Sequence, residues 1–337
     1  MNQLGEFELI ERYFKRPARR AVLGVGDDCA LLQPRPGTQL AISSDMLVEG
    51  RHFLATVDPA RLGHKALAVN LSDLAACGAT PLAFTLALAL PQVDEAWLAA
   101  FARGLLTLAD AHGCELVGGD TTRGPLNICI TVFGEVPVVE GRSQALLRSG
   151  ARPGDALYVS GTLGDAALAL DVFLGRLSVP AAVLDAARLR LEQPSPRLAL
   201  GQALRGIANA AIDVSDGLLG DLGHILQQSG VGATVDADTA TSLVASKSYY
   251  TRAGSQFDAQ PTLADWRRWA LAGGDDYELL FCAPPAAEAA VAAAALASQT
   301  PVICIGRIEA APGLRLRDAL GQPLANPFAS YDHFRPA

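Results

Sequence analysis

The sequence predicts two domains of mixed α/β or α+β type, and three observations carry that prediction. The chain has 337 residues, more than one hydrophobic core usually serves, so two domains are expected. Half of the residues are hydrophobic and only 6% aromatic. Ala and Leu do most of the apolar filling, a composition suited to helices packed on a sheet. Short apolar runs bounded by Gly and Asp alternate in both halves with stretches of helical spacing, the pattern of layered strands and helices.

Taken in order, Phe7 to Phe14 places apolar residues at 7, 9, 10, 13 and 14 and predicts a helix. Gln39 to Phe53 opens with the strand-like run Leu40-Ala41-Ile42 and then breaks into Ser43, Ser44 and Asp45. The strand is expected to end there and present these oxygens at its carboxyl end. Asp58-Pro59 is a helix start, with Asp as cap and Pro in the first helical position. That helix is expected to reach about Cys77 and to be buried, because it is apolar nearly all round. Leu82 to Leu90 reads as a buried strand. Asp94 then caps a helix to about His112, and Asn127 to Pro137 is a further strand.

Around Arg148 to Asp155 the composition turns to Gly, Pro and charge, which places the domain boundary there, between 148 and 149. The second half restarts with the strand Ala156 to Ser160, the turn Gly161 to Asp165 and a helix to about Leu174. Pro194-Ser195-Pro196 introduces a helix from Arg197 to about Gly206. Ala210 to Gly217 is an apolar run that ends in carboxylates, with an amphipathic helix starting at Leu218. Gly273 to Phe281 places its strand after the acids, and an Ala-rich helix from Ala286 to Ala297 and a strand Val302 to Gly306 complete the second unit.

The net charge is −8. No Lys/Arg cluster supplies the basic face that a nucleic-acid binder needs. The longest clean apolar run, Pro81 to Pro91, is too short to span a bilayer. The acidic start, Met1 to Glu8, lacks the basic and apolar regions of a signal peptide. The six cysteines form no Cys-x-x-Cys pair and are expected to be reduced, buried thiols. A cytoplasmic location is the expectation.

What sets this chain apart is the recurrence of carboxylates beside glycine or at the ends of apolar runs. They are Asp27-Asp28 after Gly24-Val25-Gly26, Asp45, Asp120 after Gly118-Gly119, Asp213 and Asp216, and Asp275-Asp276 after Gly273-Gly274. Asn70 and Asp73 add a polar pair, three apart on one face of an apolar helix. A single Gly-Asp or Ser-Ser-Asp is ordinary turn or cap chemistry. A second adjacent Asp is unusual in a plain turn, and a carboxylate inside an apolar helix costs several kcal/mol unless a partner such as a metal ion pairs with it. If they converge, bare charges at about 4 Å repel by roughly 1–4 kcal/mol per pair, and hard oxygen donors of this kind suit Mg²⁺, which brings phosphates with it. No P-loop and no protein-kinase catalytic loop is present. Phosphoryl transfer on this chain would therefore rest on metal ions and scattered Arg or Lys.

The runs Gly-Val-Gly-Asp-Asp-Cys-Ala, Ser-Ser-Asp-Met-Leu-Val-Glu-Gly-Arg-His-Phe, Asn-Leu-Ser-Asp-Leu-Ala-Ala, Gly-Gly-Asp-Thr-Thr-Arg-Gly, Asp-Val-Ser-Asp-Gly-Leu and Gly-Gly-Asp-Asp-Tyr-Glu-Leu follow one another from end to end. In that order the chain resembles the thiamine-monophosphate kinase family, of the superfamily that includes aminoimidazole-ribonucleotide synthetase and selenophosphate synthetase. The resemblance runs from Gly5-Glu6-Phe7 to Tyr331-Asp332-His333-Phe334. It implies that ATP phosphorylates thiamine monophosphate to thiamine diphosphate with Mg²⁺. It implies an N-terminal domain, residues 1–148, that binds ATP and Mg²⁺ and pairs its sheet with that of a second subunit in a homodimer, and a C-terminal α/β domain, residues 149–337.

By motif, Asp28, Ser43, Ser44, Asp45, Asp73, Asp120, Asp213 and Asp216 stand where the family binds Mg²⁺. Gly119, Asp120, Arg148 and Ser215 stand where it meets ATP, and His52, Asp275 and Phe328 where it meets thiamine monophosphate. Asp275 departs from the family's usual Glu and Phe328 from its usual Trp. No side-chain general base is implied, because a phosphomonoester with a second pKa of about 6 is already mostly dianionic at neutral pH. The same acids would serve another ATP-using synthetase of the superfamily, or a nucleotide- or metal-binding regulator without turnover. Glu49 to Phe53 and Tyr331 to Phe334 favour the thiamine enzyme.

Overall fold

A computed structural model of the chain describes residues 4–253 and 260–328. It divides into two compact units, Met1–Leu74 with Ala79–Ala145, and Ala75–Gly78 with Leu146–Ala337.

The first unit contains α1 (Glu6–Tyr13), β1 (Thr38–Val48), α2 (Pro59–Ala76) except for its last two residues, β2 (Thr80–Leu90), α3 (Glu95–His112), β3 (Glu115–Arg123), β4 (Asn127–Val139) and β5 (Arg142–Ser143). Its sheet runs β1-β4-β2-β3, with β5 on β4. Only the β2–β3 pairing is parallel; β1–β4 and β2–β4 are antiparallel. The caps are those the sequence advertises. Asp58 Oδ1 accepts from the Ala60 and Arg61 amides at the start of α2. Asp94 Oδ1 accepts from those of Ala96 and Trp97 at the start of α3. Each bond satisfies an amide that the first turn leaves unpaired. Leu67, Ala68, Leu71 and Ala75 of α2 are fully buried.

The second unit contains β6 (Ala156–Ser160), α4 (Asp165–Phe173), α5 (Ala181–Glu192), α6 (Leu198–Ala203), β7 (Ala210–Asp213), α7 (Leu218–Ser229), β8 (Gly232–Asp236), α8 (Ala237–Thr241), α9 (Lys247–Ala253), α10 (Leu263–Ala272), β9 (Leu279–Ala283), α11 (Glu288–Ala297), β10 (Val302–Glu309), β11 (Gly313–Arg317) and β12 (Pro323–Leu324). Its sheet runs β12-β11-β8-β10-β6-β9-β7, and only β11–β8 is parallel. One apolar cluster joins β6, β7 and β8 to α7 through Leu157, Ile212, Ala233, Leu222 and Ile225. A second is built on Trp266 and Trp269 of α10 with Ala166 and Ala169 of α4.

Two expectations are corrected. β1 does not end at Ile42 but runs on to Val48, so Ser43, Ser44 and Asp45 lie inside the strand, and Asp120 likewise lies inside β3. The reason is pairing: Ser43, Ser44 and Asp45 stand opposite Val132, Thr131 and Ile130 of β4, so the ladder carries the polar residues onward. A site at carboxyl strand ends belongs to parallel sheets, and these sheets are mainly antiparallel. None of the six cysteines is joined in a disulfide, but Cys29 and Cys304 are exposed and only Cys114 and Cys282 are fully buried.

Candidate active site

In the first unit the site is built between β1 and α2. Strand residues alternate between faces. Leu40, Ile42, Ser44 and Met46 are exposed, while Ala41, Ser43 and Asp45 turn toward the more buried side. On that side the Ser43 hydroxyl donates to Asp73 Oδ2 at 2.5 Å. The Asp45 amide donates to Asn70 Oδ1 at 3.0 Å. Asn70 is itself 1% exposed and its Nδ2 donates to the Ala66 carbonyl. The i,i+3 spacing of Asn70 and Asp73 on the helix therefore meets the i,i+2 spacing of Ser43 and Asp45 on the strand. Ser44 lies on the opposite face, its hydroxyl 2.9 Å from Thr131 Oγ1 and 3.2 Å from the Ile130 carbonyl. A consecutive Ser-Ser-Asp in a strand cannot present all three side chains on one side.

After β1 the chain turns through residues 49–53. His52 Nδ1 accepts from the Val48 amide at 3.0 Å, which leaves Nε2 to carry the proton of the neutral ring. The buried Lys65 of α2 donates to the His52 carbonyl at 3.2 Å. Its ammonium thus pins the turn that presents His52.

Asp27, Asp28, Gly119 and Asp120 line a second feature of this unit, a cleft of about 590 Å³ bordered by Glu6, Phe7, Ile10 and Phe14. Gly119 has φ +142, and a Cβ there would stand 1.8 Å from the Leu86 carbonyl oxygen. Only glycine lets β3 lie this close to β2. Among the described residues, no three His, Cys, Asp or Glu side chains stand together as a metal-binding group. Asp73 lies inside α2, as its helical spacing predicts, whereas Asp45 and Asp120 lie inside strands instead of at strand ends.

In the second unit, Asp213 ends β7 and is 4% exposed. The turn after it is gathered by Asp221, whose Oδ2 accepts from the amides of Ser215, Asp216 and Gly217 at 3.0–3.1 Å. Burial pushes the Asp221 carboxyl up to about 7, with the Asp216 charge adding to the rise and the three amides opposing it. Asp275 lies alongside. Its amide donates to the Ser215 carbonyl and that of Tyr277 to Val214, both at 2.8 Å, while the Val214 amide donates to the Glu278 carbonyl. Arg148 is exposed. Phe328 packs against the apolar cluster of the sheet. Tyr331 to Phe334 lie outside the described residues.

Beneath this segment is a charged group to which the motif reading assigned no role. Glu278 is fully buried. Arg197 grips it through Nε to Oε2 and Nη2 to Oε1, both at 2.6 Å; Arg190 Nη2 reaches Oε1 at 2.7 Å and the Ser160 hydroxyl reaches Oε2 at 2.6 Å. Asp276 accepts twice from the Gly164 amide. The turn Gly161–Gly164 is therefore no phosphate cradle, because each of its amides has a partner: Gly161 on Pro301, Thr162 on Glu278, Leu163 on Leu243 and Gly164 on Asp276. Glu278 was visible in its motif, but nothing in the sequence pairs it with Arg190, which lies on a helix the hydrophobic spacing did not disclose.

Known proteins complete the picture. Residues 26–136 match the family described as AIR synthase related protein, N-terminal domain, and residues 152–319 match its C-terminal domain. A thiamine-monophosphate kinase of Salmonella typhimurium is 48% identical over 337 residues, covering 98% of each chain. The crystal structure of thiamine-monophosphate kinase from Stenotrophomonas maltophilia K279a has a TM-score of 0.79 and 44% identity, covering 92% of this chain and 94% of that one. The structure of AaThiL complexed with AMPPCP and TMP has a TM-score of 0.73 and 28% identity, covering 90% and 89%. At 48% identity over 98% of each chain, this chain belongs to the thiamine-monophosphate kinase family.

Proposed function

We propose that this protein transfers the γ-phosphoryl group of ATP to thiamine monophosphate, giving thiamine diphosphate and ADP. The observation that carries the reading is the 48% identity over 98% of both chains with a thiamine-monophosphate kinase. A family relative bound to an ATP analogue and TMP supports both substrates.

The donor set fits Mg²⁺. The Ser43 hydroxyl, the Asp45 and Asp73 carboxylates and the Asp28 and Asp120 carboxylates are hard oxygens, with no thiolate or imidazole among them. Asp28, Ser43, Asp45, Asp73, Asp120, Asp213 and Asp216 would hold the ions, while the Ser44 hydroxyl, on the other face of β1 against Thr131, would not join them. Bound Mg²⁺ supplies the positive charge that lets two phosphate anions approach and that steadies the leaving ADP. The chain's own residues do the positioning. Asn70 and the β1–α2 hydrogen bonds fix the donors of that face, and Asp221 fixes the turn that bears Ser215 and Asp216. Gly119, Asp120, Arg148 and Ser215 would meet ATP; His52, Asp275 and Phe328 would meet thiamine monophosphate.

β1 is an edge strand whose outer face carries Leu40, Ile42 and Met46, 45–60% exposed. An exposed apolar edge is one that proteins normally cover. We read it as the face that meets a second copy in a homodimer. No helix among the described residues is long and apolar enough to cross a membrane. Cysteines outside any disulfide suit the reducing cytoplasm.

The test is ADP release with ATP and Mg²⁺, comparing thiamine monophosphate, thiamine and no acceptor, with thiamine diphosphate identified by chromatography. Turnover is expected with the monophosphate alone. Turnover with none of the three, in a protein that still binds ATP, would refute the acceptor. Asp45→Asn and Asp120→Asn should each lose most of kcat while folding normally.

A further inference from the structure

Asp275 and Tyr277 both adopt left-handed backbone conformations, at φ +65 and +50, in a segment with a buried residue on either side of Tyr277. Non-glycine residues in that region cost of order 1 kcal/mol or more each, and such strain persists only where the surroundings enforce it. Here they do. Asp276 and Glu278 are sealed below by Gly164, Ser160, Arg190 and Arg197. The Asp275 and Tyr277 amides are tied to the Ser215 and Val214 carbonyls. What the two conformations achieve is to bring both half-exposed side chains, two residues apart, to the same place. The Tyr277 hydroxyl donates to Asp275 Oδ1 at 3.0 Å. In a regular strand, residues at i and i+2 share a face but stand about 6–7 Å apart; in this double left-handed turn they touch.

We propose that Tyr277 is a specificity-determining positioning residue for the acceptor. It holds the Asp275 carboxylate in one orientation, so that the negative charge is fixed toward the cationic thiazolium ring of thiamine monophosphate. This rests on the reading of Asp275 as an acceptor contact. The phenol suits the task for three reasons. It donates to one carboxylate oxygen without neutralising the charge. It is rigid beyond two torsions. Its own backbone is locked by Val214, so it needs no further ordering when substrate arrives. A short Asp side chain on a strained backbone gains direction from such a partner. A carboxylate left to rotate would spread its charge over several orientations and lose discrimination between a cationic acceptor and a neutral one.

The experiment is a double-mutant cycle on the full-length enzyme with Tyr277→Phe, Asp275→Gly and the double variant. Gly is chosen because it accepts φ +65 without strain. KM for thiamine monophosphate, KM for ATP and kcat are measured for each, with thermal melting to confirm the fold. Tyr277→Phe should raise KM for thiamine monophosphate by about 5- to 10-fold, the scale of one hydrogen bond to a charged group, with KM for ATP within about twofold. On the Asp275→Gly background the same change should have no further effect, which a merely structural role would not produce. An unchanged KM in Tyr277→Phe overturns the proposal, as does an equal rise on the Asp275→Gly background or a parallel rise for ATP. If Asp275→Gly itself leaves KM for thiamine monophosphate unchanged, the assignment of Asp275 to the acceptor fails, and the role of Tyr277 falls with it.

Discussion

Replacing Glu278 by Gln isolates what the buried charge group contributes. The carboxylate has no exposure, and the Arg190 and Arg197 side chains that face it are 17% and 20% exposed. Gln keeps the volume but removes the negative charge, and its amide nitrogen can only donate. Arg197 holds both oxygens, so whichever one the nitrogen replaces, an Arg197 contact becomes donor against donor. Removing one member of a buried ion group costs about 3–5 kcal/mol, because the partner charges stay buried and unpaired. For a unit of this size, about 2–4 °C of Tm is lost per kcal/mol, so Glu278→Gln should melt roughly 6–20 °C below the parent. The assay is thermal unfolding followed by circular dichroism at neutral pH, with ATP binding measured well below the transition. Adding Arg190→Met to Glu278→Gln should recover part of the loss, since one buried cation is then gone. A Tm within about 2 °C of the parent for Glu278→Gln, or no recovery in the double variant, would refute the view that charge pairing holds this segment.

Three further outcomes follow from the same geometry. Ser43→Ala removes the hydroxyl that meets Asp73 and should lower kcat or raise the Mg²⁺ requirement, whereas Ser44→Ala, whose hydroxyl faces Thr131 across the sheet, should change both much less; Mg²⁺ titrations of initial rate decide it. Gly119→Ala forces a Cβ against the Leu86 carbonyl at a φ that alanine avoids, and should cost about 3 kcal/mol or more, read in urea unfolding. Burial raises the Asp276 carboxyl well above its ordinary range, so the folded state favours its protonated form. The stability tied to this group is therefore fully present below the ordinary Asp value of about 4 and declines as pH rises toward its raised folded value. Asp276→Asn should accordingly flatten the fall of Tm over that rise, and an unaltered slope would count against it.

Sequence by itself determined the boundaries of local structure where one residue type settles the matter. Asp58-Pro59 and Asp94 start α2 and α3 because a side-chain oxygen satisfies the first amides wherever the helix sits. The buried character of α2 and the pairing of Asn70 with Asp73 on one face were legible because helical period and chain order fix them. Family membership was legible too, because six ordered motifs carry it without reference to packing. α10 is not among the elements the sequence predicts, although the structure shows a capping box of Thr262 and Asp265 at its start.

Tertiary structure alone decided where the polar residues of β1 and β3 point. A run of Ser-Ser-Asp looks like the end of a strand until a neighbour is present to pair it. β4 supplies that ladder, and the alternation of the pleat then sends Ser43 and Asp45 to α2 and Ser44 to Thr131. Tertiary structure also decided that the amides of Gly161–Gly164 are spent on the protein itself, and that Glu278 meets Arg190 and Arg197 more than 80 positions away in the chain. No local period encodes such encounters. They arise because a buried charge must find its partner wherever the folded sheet brings one within reach.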